Sequence, residues 1–205
     1  MSELIKALGR FVARDLIYVI GGTTVILSFL YLFNCFSSDE LPLAYSLFGA
    51  GLAYVVGYAI QDLCCLVGLV TMADYFEPNR FVKWLYRRFT REDWCSIERF
   101  DTYGAHLAIY TRETETADLA IFERVVSLRQ VGATMGPCSL VSAVFLFVRV
   151  YSSCQAYWRC FDFWLAGFAV VLGIGLVCLS WLKGVQQVKW LHVLQDARWN
   201  RRDDA

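Results

Sequence analysis

The chain has 205 residues, of which 58% are hydrophobic, 16% are aromatic and only 19% are charged. Soluble domains are about 45–50% apolar and about 25% charged, so this composition excludes a disordered chain and argues against an ordinary soluble domain. Nineteen basic residues balance nineteen acidic ones. No overall field therefore attracts nucleic acid, and we expect no direct nucleic-acid binding.

Four apolar windows are long enough to cross a bilayer, which needs about 20 mostly apolar residues. They cover residues 16–34, 43–62, 131–150 and 163–182. The windows contain almost no charge apart from Asp62 and Arg149, which lie at their ends. The sequence therefore predicts an all-α integral membrane protein with four transmembrane helices.

Positive charge predicts the orientation of these helices, because Lys and Arg concentrate in cytoplasmic segments. Residues 1–15, 63–130 and 183–205 hold seventeen of the nineteen basic residues, and only Arg149 and Arg159 fall on the other side. We therefore expect an N-in/C-in topology, with all three segments in the cytoplasm of a bacterial cell and the spans in its inner membrane. Arg149 is expected to extend its side chain to the lipid headgroups.

Apolar helical patterns continue beyond the spans. Residues 63–73 prolong the apolar run of the second span, and residues 116–130 read as an amphipathic helix that runs into the third. After the fourth span, apolar residues recur at every third position from Val185 to Leu194. An apolar helix must be covered, so we expect helical cytoplasmic extensions between helices 2 and 3 and after helix 4, followed by a polar tail.

Residues 80–91 (RFVKWLYRRFTR) separate into a basic arc of about 140° and an aromatic and aliphatic arc. This pattern is typical of a helix that lies at the lipid headgroups, although a helix packed on the bundle is the alternative. The residues expected to contact headgroups are Arg80, Lys83, Trp84, Arg87, Arg88 and Arg91.

Small residues indicate faces where helices pack closely. Gly49, Ala53 and Gly57 are spaced by four in the second span, and Gly132 and Gly136 form a GxxxG at the start of the third. Such faces let helix backbones approach each other in lipid. They serve either the internal bundle or a seam between copies of the chain.

Gln61 and Asp62 form a polar pair at the inner end of the second span. Ionisable groups at membrane depth are candidates for an ion or proton pathway. Loop lengths place the pair at the membrane interface, however, where it would be a solvated packing pair. The sequence is compatible with both interpretations, an ion or proton pathway and a packing pair.

The eight cysteines form no metal-binding or redox motif, because the sequence contains no CxxC. Cys154 and Cys160 fall in the predicted outer loop and can form a disulfide if that compartment is oxidising. His106 and His192 lack the spacing of metal ligands, and no nucleotide-binding or hydrolase motif is present. We expect neither a metal nor a cofactor.

These features favour a non-enzymatic, oligomeric membrane subunit that anchors or signals to a cytoplasmic protein. Small four-span subunits occur in bacterial antiphage systems, and this chain resembles them in size and topology only. A channel-forming or membrane-permeabilising effector is the alternative, although few polar residues in the spans are available to line a pore. A membrane-embedded lipid or thiol enzyme is a third hypothesis. The expected partners are the bilayer, further copies of the chain and a cytoplasmic protein.

The predicted orientation can be tested with the chain's own cysteines. In variants that keep a single cysteine, a membrane-impermeant thiol reagent added to intact cells should label Cys35 and not Cys95. Both cysteines should react after the membrane is permeabilised. Labelling of Cys95 in intact cells would contradict the N-in/C-in topology.

Overall fold

The structure is a computed structural model that describes residues 2–33, 43–70, 75–76, 84, 88, 100–101, 116–153 and 161–203. Four long helices and one short pair of strands account for nearly all of these residues. In chain order they are α1 (Ser2–Leu32), α2 (Leu43–Leu66), β1 (Tyr75–Phe76), β2 (Phe100–Asp101), α3 (Thr116–Ser153) and α4 (Phe161–Asp203).

Each of the four helices is long and apolar enough to cross a membrane, as predicted. The apolar windows are Asp15–Leu32, Phe48–Leu66, Ile121–Ser152 and Phe161–Trp190. Only 11% of the Phe48–Leu66 window is buried inside the chain. An apolar helix that the chain itself leaves uncovered requires lipid or another protein around it. By the length and apolar composition of its four helices, the chain is a multi-pass membrane protein.

The chain forms two compact units. Unit 1 contains residues 1–69 and 130–178, and unit 2 contains residues 70–129 and 179–205. Small side chains such as Ala53, Ala143 and Ala166 are buried in unit 1, whereas Phe48 and Phe168 are 73% and 64% exposed. Small residues inside and large apolar residues outside are typical of helices that pack against each other in lipid.

The backbones of α1 and α2 touch where two glycines face the opposite helix. A Cβ atom on Gly22 would overlap the carbonyl oxygen of Ala53, and a Cβ on Gly57 would overlap the carbonyl oxygen of Tyr18. Without side chains at these two positions, the helices approach more closely than other residues permit.

A second close contact joins α3 and α4. A Cβ on Gly136 would lie 3.1 Å from the carbonyl oxygen of Gly173, and a Cβ on Gly173 would lie 3.0 Å from that of Gly136. Nearby, the hydroxyl of Ser139 donates a hydrogen bond to the carbonyl oxygen of Ala169 at 2.9 Å. The two helices are therefore joined by a backbone contact and by a polar contact beside it.

A glycine turn ends α2 four residues into segment 63–73, so the expected helix to the end of that segment is wrong. Gly68 has a φ of +72°, which glycine adopts without steric cost. Its N–H donates to the carbonyl of Cys65 at 3.0 Å, and the N–H of Leu69 donates to that of Cys64 at 2.9 Å. These two bonds form a Schellman motif, which ends a helix despite an apolar sequence beyond it.

Unit 2 contains both helical extensions that the sequence predicts, because α3 begins at Thr116 and α4 continues to Asp203. It also contains a two-residue antiparallel pair, in which Tyr75 is opposite Asp101 and Phe76 is opposite Phe100. The expectation of a purely helical region over 63–130 is thus too simple. Tyr and Phe are residues that favour strands over helices.

The contact between α1 and α2 leads to a stability test. Replacing Gly22 by Ala should lower the free energy of unfolding by about 1–3 kcal/mol, because the added methyl group overlaps the backbone of α2. Gly51→Ala is the matched control, since a Cβ at Gly51 has no neighbour within 4 Å. Thermal denaturation of both variants in the same detergent measures the difference. Equal melting temperatures for the two would contradict the close contact.

Candidate functional site

Three polar side chains from three helices meet at one end of unit 1, which we call the ion-pair end. Arg149 Nε lies 3.3 Å from Asp162 Oδ2, and the hydroxyl of Tyr31 donates to Asp162 Oδ1 at 3.0 Å. The guanidinium of Arg149 lies over the Tyr31 ring, 3.7 Å from its centroid, and also donates to the Tyr31 carbonyl oxygen. The cluster joins α1, α3 and α4.

The structure turns the Arg149 side chain toward the other helices rather than outward from the bundle. Its side chain is only 18% exposed, and that of Asp162 is 14% exposed. A guanidinium in apolar surroundings is costly unless a counter-ion and hydrogen-bond acceptors are in reach. Asp162 and Tyr31 provide both, so the side chain turns into the bundle.

Two hydrogen bonds between side chains lie at the other end of unit 1, which we call the glutamine end. Gln130 Nε2 donates to the hydroxyl of Tyr18 at 3.1 Å, which links α3 to α1. The hydroxyl of Thr134 donates to Gln61 Oε1, which links α3 to α2. Helix α3 thus forms side-chain hydrogen bonds to other helices at both ends of unit 1.

Three tyrosines pack together next to the glutamine end. The ring of Tyr18 meets those of Tyr54 and Tyr58 edge to face, with 5.5 Å between centroids in each pair. Tyr54 and Tyr58 stack with an interplanar angle of 10°. Each such pair contributes about 0.5–1.5 kcal/mol beyond its buried area. The cluster therefore stabilises the contact between α1 and α2.

The structure separates the predicted polar pair. Gln61 is partly buried and bonded to Thr134, whereas Asp62 is exposed. Two other hydroxyls in unit 1 also form hydrogen bonds within the chain: Thr24 donates to the Gly21 carbonyl and Ser28 donates to the Thr24 carbonyl. These contacts are those of packing residues.

An elongated apolar groove of about 470 Å³ lies between α1, α3 and α4 in unit 1. Tyr31 and Asp162 line it at the ion-pair end, and Met135 and Leu176 line its far end. Leucine and phenylalanine side chains of α4 form most of one wall. One hydroxyl in the opposite wall, that of Ser142, is buried and has no hydrogen-bond partner among the described residues.

Unit 2 contains a buried polar contact of its own. Arg129 Nη1 donates to Gln187 Oε1 at 2.7 Å, and the two residues are 5% and 1% exposed. Phe122, Val185 and Val188 are fully buried in the same unit. Arg129 is one of the charged residues of segment 116–130, which the sequence predicts to be an amphipathic helix, and the structure places it in the core of unit 2.

The small residues predicted to line packing faces have different surroundings. Ala53 and Gly57 pack against α1, and Gly136 packs against α4, all within the chain. Gly132 is buried. A Cβ at Gly49 would meet nothing within 4 Å, so this end of the α2 face lies open.

Most of the other predicted residues lie outside the described residues. Trp84 and Arg88 are described and are exposed. Four cysteines of the described ranges are not in disulfides, namely Cys64, Cys65, Cys138 and Cys178. The described ranges contain no group of three or more His, Cys, Asp or Glu side chains that could hold a metal ion. The predicted residues outside the described ones are Arg80, Lys83, Arg87, Arg91, Cys154 and Cys160.

Sequence reasoning missed the ion-pair end and the Ser142 hydroxyl. Arg149 and Asp162 flank the short loop between the third and fourth spans, so their opposite charges at adjacent helix ends were a usable signal. Tyr31 and Ser142 offered no such signal, because aromatic and hydroxyl residues are common in membrane helices. Their roles depend on the packing of three helices.

No protein-family model, no curated protein and no solved structure matches this chain.

The ion pair can be tested by a double-mutant cycle. Asp162→Leu should lower the free energy of unfolding by about 3 kcal/mol, because it leaves the Arg149 guanidinium partly buried without its counter-ion. Adding Arg149→Met should restore most of this loss, since an apolar pair replaces the ion pair. Lys183→Met, which removes a half-exposed charge that donates to Gln186, should change stability by less than about 0.5 kcal/mol. Additive effects of the two substitutions, measured by thermal or denaturant unfolding, would contradict the coupling.

Proposed function

We propose that the chain is a non-enzymatic, oligomeric membrane subunit that anchors or signals to a cytoplasmic protein. Its orientation in this proposal is N-in/C-in in a bacterial inner membrane, and the excess of basic residues in three segments supports it. Unit 2, with both helical extensions, then faces the cytoplasm. An antiphage or similar multi-protein system is one setting for such a subunit.

The length of α3 and α4 is the observation that carries the proposal. They contain 38 and 43 residues, which correspond to about 57 Å and about 65 Å of helix. The hydrocarbon core of a bilayer is about 30 Å thick. Each helix therefore has several turns outside the hydrocarbon, and an anchor needs such a structured segment in reach of a soluble partner.

Unit 2 combines a well-packed interior with exposed side chains, as a docking surface for a protein requires. Its interior holds the Arg129–Gln187 hydrogen bond and the fully buried side chain of Phe122. On the same turns of α3, Ile121 is 47% exposed and Arg124 is also exposed. An apolar and a basic side chain on a well-packed helix are residue types that contribute to protein interfaces.

Self-association is supported by the uncovered surface of unit 1. Large apolar side chains such as Phe48, Val171 and Ile174 are more than half exposed. Lipid covers such surfaces as well as protein does, so the proposal leaves the number of copies to measurement. A channel is less well supported, because the hydroxyls of Thr24, Ser28 and Ser139 donate to carbonyls inside the chain.

A measurement of the native mass of the complex tests this proposal. The full chain, extracted gently from its host's membranes, should run as several copies of the 23.4 kDa subunit with a soluble protein in fixed ratio. Replacing Ile121 and Arg124 by Glu should remove that protein and leave the oligomer, because both side chains are exposed in unit 2. Ile174→Glu, an equally drastic change on the exposed surface of unit 1, should leave the soluble protein bound whenever the variant inserts normally.

Two results would overturn the proposal. A chain that stays monomeric and free of partners under these conditions would exclude the anchor role. A closed ring of this chain alone, with ion flux in reconstituted vesicles, would favour the channel instead.

A further inference from the structure

The groove in unit 1 is open along the side of the helix bundle. Phe168 and Leu172 of α4 and Leu27 of α1 line it, and all three side chains are substantially exposed. Each belongs to an apolar membrane-length window. A molecule that enters the groove from this side therefore comes from the hydrocarbon of the membrane.

The walls of the groove contain a single unused polar group among the described residues. Thr24, Ser28 and Ser139 each donate their hydroxyl proton to a backbone carbonyl. Ser142 is 5% exposed, and its Oγ makes no hydrogen bond within the described chain. A buried hydroxyl without a partner costs free energy, which a ligand with an acceptor oxygen at this position recovers.

The groove also has a charged end at a fixed distance from Ser142. Arg149 follows Ser142 by seven residues on α3, which is about 10 Å along the helix axis. Arg149 is paired there with Asp162, so the end of the groove offers one positive and one negative group with no net charge. Beyond Ser142, the apolar lining continues to Met135 and Leu176.

We propose that this groove binds one zwitterionic glycerophospholipid from the surrounding membrane. An acyl chain lies along the apolar walls, an ester carbonyl accepts a hydrogen bond from Ser142, and the headgroup lies at the ion-pair end. Phosphate and ammonium groups complement the Arg149–Asp162 pair, whereas a purely anionic headgroup would gain little from a neutral pair. The inference requires that unit 1 lies in the membrane, and it does not depend on the partner in the proposed function.

Native mass spectrometry of the full chain, released from nanodiscs of defined composition, tests this site. From equal mixtures of phosphatidylethanolamine and phosphatidylglycerol, the chain should retain one phosphatidylethanolamine. Ser142→Ala should weaken that retention about threefold to tenfold, the effect of losing one hydrogen bond. Ser180→Ala is the matched control, because the Ser180 hydroxyl is also buried without a partner among the described residues but lies outside the groove.

A second pair of variants tests the groove itself. Leu172→Trp places a bulky ring in the groove and should abolish retention of the lipid, whereas Val171→Trp, on the neighbouring exposed position, should not. Circular dichroism and gel filtration identify any variant that fails to fold. For such a variant, Leu172→Phe with Val171→Phe replaces the pair.

Three results would overturn the inference: preferential retention of phosphatidylglycerol, equal retention by the Ser142→Ala and Ser180→Ala variants, or no retained phospholipid on the folded chain. None of these results tests whether unit 2 binds a soluble partner. A chain that keeps its lipid and lacks a partner would overturn only the proposed function.

Discussion

Helices in lipid gain little from burying apolar surface against one another, so close packing and polar contacts decide how they assemble. In unit 1 this constraint is met at two places where glycine lets backbones touch, between α1 and α2 at Gly22 and Gly57 and between α3 and α4 at Gly136 and Gly173. The other contacts depend on these approaches. Ser139 reaches the Ala169 carbonyl because α3 and α4 are already close at that level.

Polar side chains then join the two helix pairs at both ends of α3's membrane segment. Gln130 and Thr134 bond to α1 and α2 at the glutamine end, and Arg149 bonds to α1 and α4 at the ion-pair end. Hydrogen bonds between helices in a membrane contribute about 0.6–2 kcal/mol each. Several of them on one helix make α3 the central member of unit 1, and the proposed lipid site lies along the same helix.

The presence of four helices long and apolar enough to cross a membrane could be predicted from the sequence, because an apolar run of sufficient length is a local property. The end of α2 was harder to predict, since Gly22 and Gly57 also lie in apolar runs but stand inside helices, whereas Gly68 adopts a positive φ and ends one. Arg149, Asp162 and Arg129 could not be placed in the same way. Whether a charge near a helix end faces water, lipid or a counter-ion depends on the rotation and register of neighbouring helices.

The residues of the candidate site could likewise be predicted only in part. Small residues at spacing four on α2 indicated a packing face, and two of the three, Ala53 and Gly57, do pack against α1. The open surroundings of Gly49 depend on how neighbouring helices pack, which no pattern in one helix can reveal. Similarly, a serine in an apolar helix usually bonds to its own backbone. Only the packed structure distinguishes Ser142 from Ser28 and Thr24.

Pairing of Arg149 with Asp162 has an electrical consequence. A lone charge that crosses the membrane potential changes its energy by about 2.3 kcal/mol per 100 mV, so an unpaired arginine would make this end of the bundle respond to voltage. The pair carries no net charge and its two members are 3.3 Å apart. Displacing the two together along a membrane field therefore moves no net charge and costs almost no electrical energy.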